Sequence, residues 1–331
     1  MAYQPAGNVT TTSTIGHLAT VYYNKRAEDQ LREVFLFWKL VDSERTRTLP
    51  QNSGKTIQFF RYENLGANTT PTTEGTVGTS LQLSSAPFTA SVSQYADFIS
   101  FSDLLEQTAI DPIVAEGADQ LGYRAGLTVD NLNKAEVDGS AGSFDLPLLG
   151  DFYSSGDAAN ARHQMQGLKI RPLREGLYEA LIHPYVSYDL IRDPQAGNFL
   201  DLTKRPGSDQ NSVNFRPPAD PMTPIAVVGG VRFWESTNVT KTSGSPNTWR
   251  VYYSGRGGLA AIDLAGRGPQ RSMSQERDRF RVNVFRPGLT DSNPEGKIAA
   301  FASYNFVYVA KLLDTTNYRL RKTDAPSSIV A

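Results

Sequence analysis

The sequence predicts an α+β fold, and three observations predict it. Segments of helical and of strand period are interleaved along all 331 residues, with no linker-like composition to divide them. Strands do not alternate regularly with helices, which argues against a doubly wound parallel sheet. The longest helical segment stands between a long two-stranded excursion and a run of short elements. A chain of this length fits one large domain or two ordinary ones.

Residues 1–20 are polar and Thr-rich and read as a flexible arm. The first helix is expected from Tyr23 to Ser43, because Ala27, Leu31, Val34, Phe35 and Trp38 fall on one face at helical spacing. That pattern suits a partner-binding helix and a helix on its own core equally well. Lys55–Tyr62 reads as a strand, and Leu81–Phe101 as its return, with Phe88, Ala90 and Val92 alternating against Thr89, Ser91 and Ser93. The stretch between them, Glu63 to Thr79, is far longer than a hairpin turn requires. A two-stranded ribbon is marginal alone in water, so this one is expected to dock on something else.

Asp111-Pro112 opens a helix, with Asp as N-cap and Pro at the first helical position, running to about Asp138. Gly117, Gly122 and Gly126 weaken it, so it is expected to kink or to lie close against other backbone. Between Asp103 and Asp138 stand eight acids (Asp103, Glu106, Asp111, Glu116, Asp119, Asp130, Glu136, Asp138) and two bases (Arg124, Lys134), a balance of 2 − 8 = −6. Further on, Asp157–Leu168 and Pro184–Arg192 read as helices and Leu177–Ile182 as a buried strand. Residues 194–224 read as an extended loop. Strands are expected at Ile225–Trp234, Trp249–Ser254, Phe280–Phe285, Ala299–Leu312 and Tyr318–Lys322.

Composition narrows the function. Net charge is −1, so no global field drives the chain to nucleic acid or membrane. There is no cysteine, which removes disulfides, thiolate metal sites and cysteine nucleophiles. No apolar run approaches the roughly 18 residues of a membrane span, and no signal peptide is visible. The three histidines, His17, His163 and His183, are too scattered to suggest a helical metal pair. Gly255–Ala260 matches GxGxxA, but Asp263, Gly266, Gly268 and Pro269 follow where a dinucleotide site needs a helix, so a tight turn between strands is expected. The residues supply no catalytic constellation, cofactor site or metal site. The basic run Arg271, Arg277, Arg279, Arg281 and Arg286, interleaved with Glu276 and Asp278, fits an intersubunit ion-pair surface.

Local strings carry a resemblance. SGKTIQFFRY at 53–62, TTPTTEG at 69–75, SQYADFISFSDLLEQTAIDP at 93–112, YEALIHPYVSYDLIRDP at 178–194 and VGGVRFWESTN at 228–238 occur in one order over most of the chain. They resemble the tailed-bacteriophage major capsid proteins of the Hong Kong 97 fold, in particular the subfamily of N-four-type podophages. The resemblance implies an N-arm (1–52), an E-loop (53–101) lying over a neighbouring subunit, a P-domain (102–140 and 280–331) with a long spine helix, and an A-domain (141–279). It implies a non-enzymatic protein that assembles through hexamers and pentamers into the icosahedral shell of a virion, put together in the host cytoplasm. Packaged double-stranded DNA would be enclosed without sequence-specific binding, and decoration, scaffolding and portal proteins would be partners; no membrane is involved.

Trp38, Arg61, Tyr62, Arg277 and Arg279 are the expected intersubunit contacts. Asp111, Glu116, Asp119 and Asp130 are expected on an acidic face lining the shell, where like charge keeps DNA from adhering. One feature departs from the family. Its type member cross-links an E-loop Lys to an Asn of another subunit, whereas no Lys stands here between Lys55 and Lys134. Two other readings stay open: an encapsulin-type compartment shell of the same fold, separable by DNA inside purified particles, and an enzyme with an unfamiliar site.

Overall fold

The computed structural model describes residues 36–50, 52–62, 65–75, 77–78, 80–109, 112–140, 142–143, 152–192, 224–242, 248–264, 282–285, 299–313 and 320–326. The arm, the bulk of the first expected helix, the loop at 194–223 and the basic run lie outside them.

Where the first helix was expected to end, Phe37–Leu40 forms a single 3-10 turn and Val41 is already extended. This corrects the helix expected to reach Ser43. Leu36, Phe37, Leu40 and Val41 are all buried. Their backbone groups also bond elsewhere: Asp130 accepts from the amides of Leu36 and Phe37, and the Ser254 hydroxyl donates to the Leu40 carbonyl at 2.6 Å. Trp38 is only half-buried.

Strand β1 (Arg47–Leu49) follows, then the ribbon strands β2 (Thr56–Tyr62) and β3 (Ser85–Ser91), then β4 (Ser93–Ser102). The expected return strand is thus two strands that part at Val92, whose amide donates to the Lys55 carbonyl at 2.9 Å. Helix α1 (Asp103–Thr108) is capped by the Ser102 hydroxyl, and α2 (Ile113–Ser140) is the long helix. Then come β5 (Gly142–Ser143), α3 (Ser155–Gly167), β6 (Tyr178–Ile182) and α4 (Pro184–Arg192). A capping box of Ser154 and Asp157 opens α3. The remaining strands are β7 (Ala226–Val228), β8 (Val231–Glu235), β9 (Lys241–Thr242), β10 (Thr248–Ser254), β11 (Leu259–Leu264), β12 (Val282–Phe285), β13 (Ala299–Leu312) and β14 (Leu320–Pro326).

These make two sheets and a ribbon. In the five-stranded sheet β13 is central, with β4 antiparallel along one side, β11 and β12 antiparallel along the other, and β1 parallel to β11 beyond. Along β13 the residues Ala302, Tyr304, Phe306, Tyr308, Ala310 and Leu312 are buried against α2, the period of two expected of a strand with one face on a core. The second sheet has seven strands in the order β5-β14-β10-β6-β8-β7, with β9 on β10, and a second core lies between it, α3 and α4. The sheets cut across the division expected from the resemblance: β11, inside 141–279, joins the sheet of β13, and β14, inside 280–331, joins the sheet of β10.

The glycines of α2 have their reason at Gly117. A Cβ there would lie 2.5 Å from Cζ of Phe101, so the absent side chain admits the ring from β4. The Gly255–Gly258 segment is the expected tight turn. Gly257 has φ +76°, β11 follows directly, and the Gly257 amide donates to the buried Asp42 carboxylate at 2.7 Å. An internal carboxylate thus occupies the amide that a phosphate would need.

Candidate subunit-contact surfaces

The ribbon has two unlike faces because strand residues alternate. Ile57 and Phe59 on β2 face Ala90 and Phe88 on β3. Phe59, Ala90 and Val92 are buried with Leu49, Ile262 and Val307, a third small core that roots the ribbon on the five-stranded sheet. The Arg47 guanidinium lies 5.3 Å from the centre of the Phe59 ring. On the other face Phe60 pairs with Pro87 and Tyr62 with Ser85. Phe60, Tyr62, Leu81 and Leu83 are 60–69% exposed and Val77, in the long loop, 99%. Apolar side chains gathered on one face of a two-stranded ribbon mark an interaction surface. Phe98 on β4 and Leu104 on α1 are exposed as well.

Of the expected contacts, Tyr62 lies on this apolar face. Arg61 stands in β2 opposite Ala86, on the alternate register. Trp38 is packed at the margin of its own subunit's core. Arg277 and Arg279 lie outside the described residues. Sequence reasoning passed over Phe60, Pro87, Leu81 and Leu83. The signal for Phe60 was present: it stands out of phase with Ile57 and Phe59 in a strand whose other face is the packed one.

The acidic lining needs correction. Asp111 lies outside the described residues and Glu116 is exposed, but Asp119 and Asp130 are buried within the subunit. Eleven residues, about three helical turns, separate these two, which puts them on one face. That face is the packed one, shared with Ala118, Ala125, Val129 and Val137. The other acids of α2 are also used inside the chain. Glu136 bonds the Leu312 amide at 3.0 Å and Lys311 Nζ at 3.1 Å. Asp138 accepts from Thr240 (2.6 Å), Arg250 (2.8 Å) and Tyr252 (2.8 Å). Burial pushes the Asp138 carboxyl up, but these three hydrogen bonds outweigh it and hold the group below the usual carboxylate range. On β4, Asp97 accepts from Tyr304 Oη (2.8 Å) and Arg124 Nε (2.7 Å), and the Tyr304 bond foremost lowers its carboxyl. Three of the eight acids, Asp130, Glu136 and Asp138, thus tie α2 to other elements of its own subunit.

His183 is stacked on Trp249 with ring centres 3.6 Å apart, and burial lowers its imidazole to about 4, which keeps it neutral. His163 is exposed on α3, and His17 lies outside the described residues. Among the described residues no three His, Cys, Asp or Glu side chains are grouped to hold a metal ion, and no helix is long and apolar enough to cross a membrane.

No family model and no curated relative matches the chain. Solved structures do. It is similar to the capsid of Ralstonia phage GP4 (14% identity, 91% of this chain and 93% of that one, TM-score 0.61). It is similar to the capsid of the cyanophage P-SCSP1u (14% identity, 97% and 91%, TM-score 0.58). It is also similar to the head of Helicobacter pylori bacteriophage KHP40 (9% identity, 87% and 91%, TM-score 0.61). At such identities the likeness is one of shape, running over nearly the full length of both chains: this chain has the fold of the bacteriophage capsid subunit.

Proposed function

We propose that the chain is the major capsid protein of a tailed phage, self-assembling into the icosahedral shell that encloses its double-stranded DNA. The observation that carries this reading is the ribbon: rooted on its own subunit by Phe59, it turns Phe60, Pro87 and Tyr62 outward with no described cover. Burying an aromatic side chain contributes about 1.5–3 kcal/mol. Repeated around a ring of subunits that each engage several neighbours, modest contacts hold a lattice by multivalency. The capsid neighbours support the same reading through the fold.

In this proposal the ribbon is the E-loop. The P-domain gains β11, and the A-domain gains β14. Arg61, Arg277 and Arg279 remain intersubunit candidates, and of the acidic lining Glu116 remains. Decoration, scaffolding and portal partners, packaged DNA and assembly in the host cytoplasm belong to the same proposal. The test is negative-stain electron microscopy of the full-length chain, expressed alone and with its neighbouring phage structural proteins. Closed shells or capsomers support it, and a monomer under all conditions overturns it. Nuclease-protected DNA inside particles from infected cells separates a phage shell from a compartment shell.

A further inference from the structure

Asp130 stands in the middle of α2, fully buried. Its Oδ1 accepts the amides of Leu36 (3.0 Å) and Phe37 (2.7 Å), where the chain leaves its first 35 residues. Its Oδ2 accepts from Asn238 Nδ2 (2.8 Å), in the turn after β8. The same Asn238 Nδ2 donates to Asn131 Oδ1 (2.9 Å), an exposed side chain. One carboxyl group thus joins α2 to two other segments, 93 and 108 residues away along the chain.

Among the described residues, the groups facing it are few. Lys134, one turn along α2, acts on it through its field. From β13 the Tyr308 hydroxyl, bonded to Asn133 Oδ1 at 2.6 Å, lies within electrostatic reach. The Leu36–Phe37 segment contributes amides, and the turn contributes the Asn238 carboxamide.

We propose that Asp130 is a proton-linked anchor, which fastens the root of the N-terminal segment and the Asn238 turn to α2 and holds them more firmly when protonated. The protonated group keeps its carbonyl oxygen, which has lone pairs for both amides. Its new O–H points at Asn238, which turns its carboxamide over to accept. Asn131, free to rotate at the surface, turns with it and donates in its place. No hydrogen bond is lost, and the cost of burying a charge disappears.

The electrostatics run the same way. Burial pushes the carboxyl up to about 6, against the bonds from Asn238, Phe37 and Leu36 and the field of Lys134. With the anchor open, Asp130 is a solvated carboxylate near the usual aspartate value of 3.8. The proton is therefore bound more tightly in the closed form. Its contribution is full below about pH 3.8 and is lost as pH rises through about 6.

The experiment is hydrogen exchange read by mass spectrometry on the full-length chain, following the peptide that contains Leu36 and Phe37, with intrinsic rates corrected for pH. The two values imply that the anchor is open about tenfold more at pH 7.5 than at pH 5. D130N mimics the protonated group and is expected to hold the segment closed equally at both pH values. D130A is expected to open it at both. Should D130A fail to fold, D130N alone decides. A wild-type anchor that is insensitive to pH or loosens in acid overturns the proposal, as does a tenfold dependence that survives in D130N. The readout concerns one subunit and does not depend on what the subunits build.

Discussion

Gly117 gives up a side chain so that the Phe101 ring can pack against the helix at that point. Gly117→Ala gains up to about 1 kcal/mol of helix propensity but drives a methyl group into a ring, an overpacking that costs about 1–3 kcal/mol. We expect a net loss of stability in denaturant melts, relieved when Phe101→Leu is added; additive effects of the two changes would contradict the contact. Asp138 gives a prediction of opposite sign to that for Asp130. Its folded carboxyl is held low, so its contribution stands above about pH 3.8 and is lost as pH falls through the folded value. Thermal melts between pH 5 and pH 2.5 should show a decline in the wild type that is shallower in Asp138→Asn. The sequence displayed both acids without distinguishing them. Charge counting records composition, whereas the direction of each side chain follows from helical phase. Asp119 and Asp130 share the phase of the apolar stripe, so phase alone would have withdrawn them from the surface.

Among the elements, the ribbon makes the sharpest separation of roles. Phe59→Ala removes the root and is expected to cost the subunit about 3–5 kcal/mol. Phe60→Ser with Tyr62→Ser removes side chains the lone subunit leaves exposed. We expect the melting midpoint to stay within about 0.5 kcal/mol of wild type while assembly, followed by light scattering, fails. If the double variant assembles normally, the outward face is not a contact. Elements whose own residues carry the periodicity were legible: β13 falls on Ala299–Leu312, as expected, and α4 on Pro184–Arg192. The short strands β1, β5 and β9 were not. Two or three residues hold no period, and β1 exists because Arg47–Leu49 pairs with Ile262–Leu264 far along the chain. The same holds at Phe37–Leu40, where the composition of a helix gave way to bonds with Asp130 and Ser254.

Over the whole molecule, the capsid reading carries a covalent prediction. With no Lys from Thr56 to Asn133, the ribbon cannot supply an amine for a Lys–Asn bond. Denaturing electrophoresis of mature particles should give one band at the 36.3 kDa monomer, and a ladder of multimers would refute it. The architecture as a whole was readable in the order of its segments, while the joint between the two sheets was not. Residues 36–49 make that joint. They pair with β11, accept the Ser254 hydroxyl at the Leu40 carbonyl, meet Arg174 through the Val41 carbonyl at 3.2 Å, and hold the Gly257 turn through Asp42. Asp42 and Gly257 are separated by 215 residues. A ribosome adding about 5–20 residues per second needs roughly 10–40 s to cover that distance. For that interval Asp42 has been made and its partner at Gly257 has not. The joint between the two sheets closes through Asp42 only once Gly257 has been made, so a shorter nascent chain lacks this closure.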